Sequence, residues 1–121
     1  MPERRPYIAG NWKLWGTRAQ AGEYCRRLLT LLPDASRRPA DVGLCVPFTA
    51  LDTCVELLQG AGVIVGAQTM HAEETGAFTG EVSSTMLVEA GAQSVVLGHS
   101  ERRLYNCETD RALQELSLIH I

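Results

Sequence analysis

The sequence predicts an α/β fold built on a parallel sheet. Short apolar strands alternate with amphipathic helices four times along the 121 residues, which is typical of parallel strands joined by right-handed helical crossovers. The strand segments are apolar throughout rather than alternating, as expected for a sheet covered on both faces. With 45% hydrophobic and 21% charged residues the composition is that of a globular domain, and length alone predicts one complete domain.

The first strand–helix unit has clear boundaries. Pro6–Trp12 is short and apolar and predicts the first strand. Thr17 can cap a helix that runs to about Leu32, and Pro33 ends it. The apolar residues of this helix recur at helical spacing: Ala21, Tyr24, Cys25, Leu28, Leu29 and Leu32.

The second and third units differ in the segment that comes after the strand. Val42–Val46 predicts a strand followed by a helix over Leu51–Gly60, with Gly60 as its stop. Val63–Val65 predicts the third strand. Gln68–Glu81 then has little periodicity, and a loop of this length is usually functional or disordered. Phe78, an aromatic residue in this polar loop, indicates burial against another surface, for which a partner subunit is one candidate.

The fourth unit carries the densest group of polar residues. A helix over Ser84–Ala90 leads to a strand over Ser94–Leu97, and Thr109 starts a last helix that runs to about Leu116. The strand opens the stretch Val95–Tyr105, with sequence Val-Val-Leu-Gly-His-Ser-Glu-Arg-Arg-Leu-Tyr.

Within this stretch Gly98 ends the strand and His99 stands at its carboxyl end. Ser100 is a possible cap for a short helix whose first turn contains Glu101. Ligands bind at the carboxyl ends of parallel strands, so these residues are candidates for a site. A capped turn with solvated charges explains the same residues equally well.

The first strand also ends in polar residues. Asn11 and Lys13 lie two positions apart at its carboxyl end, and this spacing places both side chains on one face. A turn asparagine and an edge lysine in solvent are the simpler interpretation of either residue alone. Trp12 and Trp15 are interpreted as packing residues.

Charge and hydropathy exclude several classes of protein. The formal net charge is −3 and the pI is near 5.6, which gives no basic surface for nucleic acid. No apolar run approaches the roughly 18 residues of a membrane span. The N-terminus lacks the apolar core of a signal peptide, so we expect a cytoplasmic protein with neither nucleic-acid nor membrane partners. Neither a glycine-rich dinucleotide fingerprint nor a P-loop is present.

The cysteines and histidines predict no metal centre. The sequence has no C-x-x-C pair, so zinc and redox motifs lack support, and its cysteines are expected to be buried reduced thiols. The four cysteines are Cys25, Cys45, Cys54 and Cys107. His71 with Glu73 and Glu74 fits no helix-based metal motif.

Four ordered motifs resemble those of the triosephosphate isomerase family. Gly10–Lys13 and Leu97–Arg103 are similar to its first-strand and fourth-strand motifs, and Gly66–Gln68 and Gly76–Val82 resemble its third loop. The resemblance runs from about residue 7 to about residue 113. The family is a (β/α)8 barrel of about 250 residues. The resemblance therefore implies that residues 1–121 are the first four βα units of an incomplete barrel.

The resemblance also implies roles for individual residues. The family interconverts dihydroxyacetone phosphate and glyceraldehyde 3-phosphate in glycolysis and gluconeogenesis, through an enediolate and without a cofactor. His99 matches its electrophile, and the family is a well-known case of a neutral imidazole polarising the substrate carbonyl. Lys13 matches a lysine that is both catalytic and substrate-binding, and Asn11 matches the adjacent substrate-binding asparagine. Glu101 matches a catalytic carboxylate that engages the lysine.

Further implications concern assembly. The family's third loop inserts into the other subunit of a homodimer, so Thr79 and Glu81 are expected to carry that contact. Arg102 and Glu108 match its supporting ion pairs, although ordinary surface charges explain them equally well.

The sequence departs from the family pattern at three places. Trp15 stands where the family often has asparagine. The family's catalytic base, a glutamate after the sixth strand, has no match here, so the isolated chain is expected to be inactive. Residues 116–121 form a tail that is atypical of the family, and we interpret them as the mark of a truncated reading frame.

Two alternatives remain beside an isomerase. One is a non-catalytic half-barrel that associates with another chain, and the other is a complete flavodoxin-like binding module. Because four strands cannot close the barrel, two sheet edges and one apolar face should stay exposed, and we expect the isolated chain to self-associate or to lose fixed packing.

Overall fold

The computed structural model describes residues 3–117, which contain one four-stranded parallel sheet. The strands follow chain order as β1 (Tyr7–Asn11), β2 (Asp41–Val46), β3 (Val63–Ala67) and β4 (Ser94–Val95). The predicted α/β architecture with an open parallel sheet is therefore confirmed. Because the order is sequential, β1 and β4 are the edges, and β2 and β3 have a neighbour on both sides.

Five α-helices and one 3-10 turn connect or follow these strands. Their bounds are α1 (Arg18–Leu31), α2 (Phe48–Leu57), α3 (Ser84–Glu89), α4 (Ser100–Tyr105) and α5 (Asp110–Ser117), with the 3-10 turn at Ala35–Arg37. Thr17 caps α1 as predicted, through a capping box with Gln20. None of the helices within residues 3–117 is long and apolar enough to cross a bilayer.

The second helix begins earlier than its apolar periodicity predicted. It starts at Phe48, directly after the N-cap Pro47, and not at Leu51. The prediction counted periodic apolar residues only from Leu51 onward and so left out the first turn, in which Phe48 is partly exposed although Ala50 is buried. The helix ends at Leu57, and Gly60, with φ +77°, lies in the turn beyond it.

The strand bounds also differ from prediction at the sheet edge. β3 extends to Ala67 because it pairs on both sides, whereas β4 ends at Val95 rather than at Leu97. One further hydrogen bond joins the Val96 amide to the Ala67 carbonyl at 3.0 Å. An edge strand with a single neighbour has fewer hydrogen bonds to keep it extended, so apolar composition alone overestimated its length.

The hydrophobic core lies between the sheet and helices α1 and α2. Leu44 and Val46 of β2 and Val65 of β3 point toward these helices and are almost fully buried. Cys25 of α1 and Cys54 of α2 are buried there too. Successive residues of a strand face opposite sides of the sheet. Gly43 of β2 and Gly66 of β3 therefore lie on the face away from these helices.

The cysteine prediction is correct for three positions and wrong for the fourth. All four thiols are free; Cys25, Cys45 and Cys54 are buried, but Cys107 is exposed. Cys107 lies in the turn between α4 and α5, where its backbone has φ +54°. It therefore belongs to no helix or strand that packs against the core. Burial, together with the contact that Cys25 makes, raises the pKa of Cys54 to about 12.

The start of the atypical tail belongs to the last helix. Residues 116 and 117 complete α5, and Leu116 packs into the core with 6% of its surface exposed. Residues 118–121, the rest of the tail predicted over 116–121, lie outside the described residues.

Candidate active site

A cleft of about 430 Å³ lies at the carboxyl edge of the sheet. It brings together the four residues that the sequence singled out at the ends of two distant strands: Asn11, Lys13, His99 and Glu101. The last residue of β1 and the residues after β4 therefore share one site, although 88 positions separate Lys13 from Glu101. Gln68, at the end of β3, lies between them in the same cleft.

Lys13 occupies an unusual backbone conformation. Its φ of +57° lies in the left-handed region, which costs a residue with a side chain about 1–2 kcal/mol. The Lys13 amide donates a hydrogen bond of 2.9 Å to Oδ1 of Asn11. The left-handed turn therefore folds the chain back onto Asn11 and keeps both side chains at the cleft.

Lys13 forms an ion pair with Glu101. Lys13 Nζ lies 2.8 Å from Glu101 Oε1, so the contact expected from the resemblance is present. The hydrogen bond from Lys13 lowers the pKa of the Glu101 carboxyl, and the positive charge of Lys13 lowers it further against an opposing desolvation effect. Both side chains are about half exposed, so the pair orders the site more than it stabilises the fold.

His99 enters the cleft from a tight turn. Gly98 before it has φ +64°, and a Cβ there would lie 2.6 Å from a methyl group of Leu113, so the turn requires glycine. His99 itself is the N-cap of α4, and its Nδ1 accepts a hydrogen bond of 3.1 Å from the Glu101 amide. The prediction that Ser100 caps this helix is wrong, because Ser100 is already its first residue.

The capping contact determines which nitrogen of His99 can donate. Nδ1 is an acceptor toward the Glu101 amide, so it carries no proton in this arrangement. Nδ1 and the Glu101 carboxylate, which lie 3.7 Å apart, therefore do not form an ion pair. A neutral His99 then has its proton on Nε2, which has no hydrogen-bond partner within residues 3–117 and can donate toward a ligand.

Gln68 belongs to the site, although the sequence indicated it only as part of a motif. Its Nε2 lies within hydrogen-bond distance of Asn11 Oδ1, the Lys13 carbonyl and the Cys45 carbonyl. The signal that could have found it is positional: Gln68 directly follows β3, at the same carboxyl edge as Asn11.

The ion pair between Arg102 and Glu108 is present and half-buried. Arg102 Nη2 lies 3.0 Å from Glu108 Oε2, and the Glu108 side chain is only 13% exposed. A hydrogen bond from Thr69 also reaches Glu108 Oε2, at 3.5 Å. This contact fixes α4, and with it His99 and Glu101, against the segment after β3.

The Gly76–Val82 part of the third loop lies apart from the cleft. Thr79 and Glu81 are exposed and do not line the cleft with His99 and Lys13. Phe78 remains 45% exposed, and its ring lies against that of His71 with centroids 4.2 Å apart. Burial against a partner stays a prediction for this loop.

The acidic part of the third loop makes local contacts. The Glu74 carboxylate accepts hydrogen bonds from the hydroxyl groups of Ser84 and Thr85 at the start of α3. Among residues 3–117, no three histidine, cysteine or acidic side chains are grouped as metal ligands would be.

The fold and the cleft together define a class of protein. Consecutive βα units in one parallel sheet, with a polar cleft at the carboxyl ends of the strands, are the first units of a (β/α)8 barrel. The family model "Triosephosphate isomerase" matches residues 6–118. The chain belongs to the triosephosphate isomerase family, which excludes the flavodoxin-like alternative.

Individual relatives agree with this assignment. The triosephosphate isomerase of Carboxydothermus hydrogenoformans is 48% identical over 93% of this chain and 44% of its own length. That of Acaryochloris marina is 49% identical, over 93% of this chain and 46% of its own length. A crystal structure of triosephosphate isomerase from Bartonella henselae superposes with a TM-score of 0.82 at 37% identity, covering 93% of this chain and 45% of that one. The chain therefore spans less than half the length of these relatives.

Proposed function

We propose that this chain supplies the electrophilic part of the active site of a triosephosphate isomerase that interconverts dihydroxyacetone phosphate and glyceraldehyde 3-phosphate. One observation carries the proposal: the Lys13 ammonium and the His99 imidazole, from opposite edges of the sheet, line one cleft. The cleft thus offers a positive charge and a neutral donor to a small phosphorylated carbonyl compound.

The reaction needs charge stabilisation at a carbonyl oxygen. When a proton leaves the adjacent carbon, the oxygen becomes the oxyanion of an enediolate, and preorganised donors stabilise it. His99 Nε2–H is the donor for this oxygen, because Nδ1 is occupied by the Glu101 amide. Lys13 supplies the positive charge, with Glu101 as a catalytic carboxylate that holds it in place. Asn11 donates an additional hydrogen bond to the substrate.

The proton-abstracting carboxylate has no counterpart among the residues of this cleft. Glu101 is paired with Lys13, and the family's base follows a strand outside the stretch that this chain matches. A positioned base contributes about 10²–10⁴-fold to such a reaction. We therefore expect the 121-residue chain to bind the triose phosphate and to show no enzyme-like turnover; turnover by the purified chain would contradict this.

Substrate binding can be tested at a single side chain. Lys13 is the only lysine of the sequence, so reductive methylation with a carbon-13 label places one side-chain probe in the cleft. We expect dihydroxyacetone phosphate to shift this signal. His99→Gln should weaken the response, whereas the matched variant His71→Gln in the third loop should not. An unchanged signal at saturating ligand, or equal effects of the two variants, would refute the proposal.

A second candidate function is association with another chain through the open edges. Ile8 of the edge strand β1 is 63% exposed, and exposed apolar residues on a strand that pairs on one side only favour pairing with a further strand. In an isomerase we expect a homodimer in which Thr79 and Glu81 contact the partner, cytoplasmic location, and a place in glycolysis and gluconeogenesis. Co-purification of the chain with a full-length subunit, lost on deletion of the third loop, tests the dimer contact.

A further inference from the structure

We propose that Gln68 is the positioning residue of this site. Its side-chain amide holds the backbone of Lys13 in the left-handed conformation and orients the amide of Asn11, so that both residues present their donor groups to a ligand. The proposal rests on the proposed function only for the identity of that ligand.

The hydrogen bonds of Gln68 fix its own orientation. Nε2 lies 3.0 Å from the Lys13 carbonyl, 3.2 Å from Asn11 Oδ1 and 3.3 Å from the Cys45 carbonyl. All three partners are oxygens that accept here, so the nitrogen of the amide, and not its oxygen, must face them. Two N–H groups serve three acceptors, which requires one shared hydrogen bond.

The same contacts determine how Asn11 is turned. Its Oδ1 accepts from the Lys13 amide at 2.9 Å and from Gln68 at 3.2 Å. Because both contacts use the oxygen, the Nδ2 group of Asn11 is left as the donor. Asn11 lines the cleft, so this amide offers its hydrogens to a ligand rather than its oxygen.

Lys13 is held on both sides of its strained backbone. Its carbonyl accepts from Gln68, and its amide donates to the oxygen of Asn11 that Gln68 also contacts. A non-glycine residue keeps φ +57° only when its surroundings compensate for the cost. Gln68 follows β3, a strand paired on both sides, and therefore joins the rigid interior of the sheet to the segment after its edge.

Hydrogen exchange measured by mass spectrometry tests the contact without requiring a monomeric sample. Gln68→Met keeps the length of the side chain and removes the donors. We expect the amides of residues 12–14 to exchange about three- to tenfold faster, as expected for the loss of one hydrogen bond. Gln59→Met, an exposed glutamine outside the cleft, is the matched control and should leave these amides unchanged. Should Gln68→Met fail to fold, Gln68→Asn, whose shorter amide cannot reach the three oxygens, decides the question.

A second variant separates positioning from general support of the fold. Glycine adopts positive φ without help, so in a Lys13→Gly background the effect of Gln68→Met on these amides should fall below about twofold. Equal effects of Gln68→Met in both backgrounds, or unchanged exchange in the single variant, would overturn the proposal.

Ligand binding is measured separately with dihydroxyacetone phosphate. If Gln68 positions both donors, Gln68→Met should weaken this binding about tenfold, whereas Gln59→Met should not. Undiminished affinity in Gln68→Met would also overturn the proposal. Faster exchange together with no binding even by the unaltered chain would instead refute the proposed function and leave the positioning role standing.

Discussion

The centre of the molecule and its rim are built by different rules. In the centre, β2 and β3 pair on both sides, and their helix-facing residues are buried under α1 and α2. At the rim, β1 is largely exposed and β4 has only two residues, yet the segments after these two edge strands carry Lys13, His99 and Glu101. The segments after the strands with the least support thus carry the charged side chains and the imidazole of the site.

The difference teaches how an open sheet can hold a precise site. Side chains on edge segments have few neighbours to fix them, so they need polar contacts that reach back to the interior. Two such contacts are present. Gln68 joins the segment after β1 to the end of β3, and Glu108 joins α4 to Thr69, near the same strand end.

The largest expected difference between centre and rim is thiol reactivity. Alkylation requires the thiolate, and the raised pKa of about 12 leaves buried Cys54 with about a thousandfold less thiolate than an ordinary thiol of pKa 9.0. We expect iodoacetamide to label exposed Cys107 first and the three buried cysteines only as the chain opens. Mass spectrometry of the labelled peptides measures the four rates.

Two controls sharpen this thiol prediction. In urea all four cysteines should react at similar rates, and Cys107→Ser should remove the fast phase alone. Fast labelling of Cys54 in the folded chain would mean that the centre is as open as the rim, as expected if the isolated chain had lost fixed packing.

The next largest effect is expected from truncation of two apolar side chains of equal carbon number. Leu44 of β2 is 3% exposed, and Leu44→Ala should lower the free energy of opening by about 2–5 kcal/mol, measured as faster exchange of the β2 amides. Ile8 of β1 is largely exposed, so Ile8→Ala should change the free energy of opening by less than about 0.5 kcal/mol. Equal effects would contradict the distinction between centre and rim.

Much of the centre could be predicted from the sequence because its rules are local. The period of apolar residues and the Thr17 cap located α1, and uninterrupted apolar runs located β2. The shared cleft of Lys13 and His99 followed from parallel topology, since the carboxyl ends of parallel strands lie on one edge. The start of α2 was predicted three residues too late, because the apolar period was counted from Leu51 and left out partly exposed Phe48 and buried Ala50.

The details of the rim could not be predicted because they depend on contacts between distant residues. Gln68 is an ordinary polar residue in the sequence, and only the packed sheet brings it to Lys13, 55 positions away. His99 rather than Ser100 caps α4, because the turn before the helix brings the imidazole to the Glu101 amide. The preferences of residue types for helix caps do not reveal such a turn. Serine is the commoner cap, so propensity favoured the wrong residue.

A smaller effect is expected from two neighbouring ion pairs of α4. Arg102→Met leaves the nearly buried Glu108 carboxylate without its partner and should destabilise the chain by about 2 kcal/mol. Arg103→Met removes a pair with Asp110, whose side chain is 92% exposed, and should cost less than about 1 kcal/mol. Urea midpoints of the two variants measure the difference, and a larger loss for Arg103→Met would contradict the anchoring role of Arg102.

The smallest effect is expected from protonation of Glu101 at the rim. Lys13 lowers the pKa of this carboxyl in the folded chain below its unfolded value, so the contribution to stability is complete above the ordinary carboxyl range and disappears as the pH falls through the lowered pKa. In Lys13→Met the pKa of Glu101, followed by carbon-13 NMR of the carboxyl, should rise toward that of a free glutamate. The control Arg4→Met removes a cation outside the cleft and should leave it unchanged. An unshifted Glu101 in Lys13→Met would mean that solvent screening removes the effect of the ion pair, and that the backbone contacts of Gln68, rather than charge, order this side of the cleft.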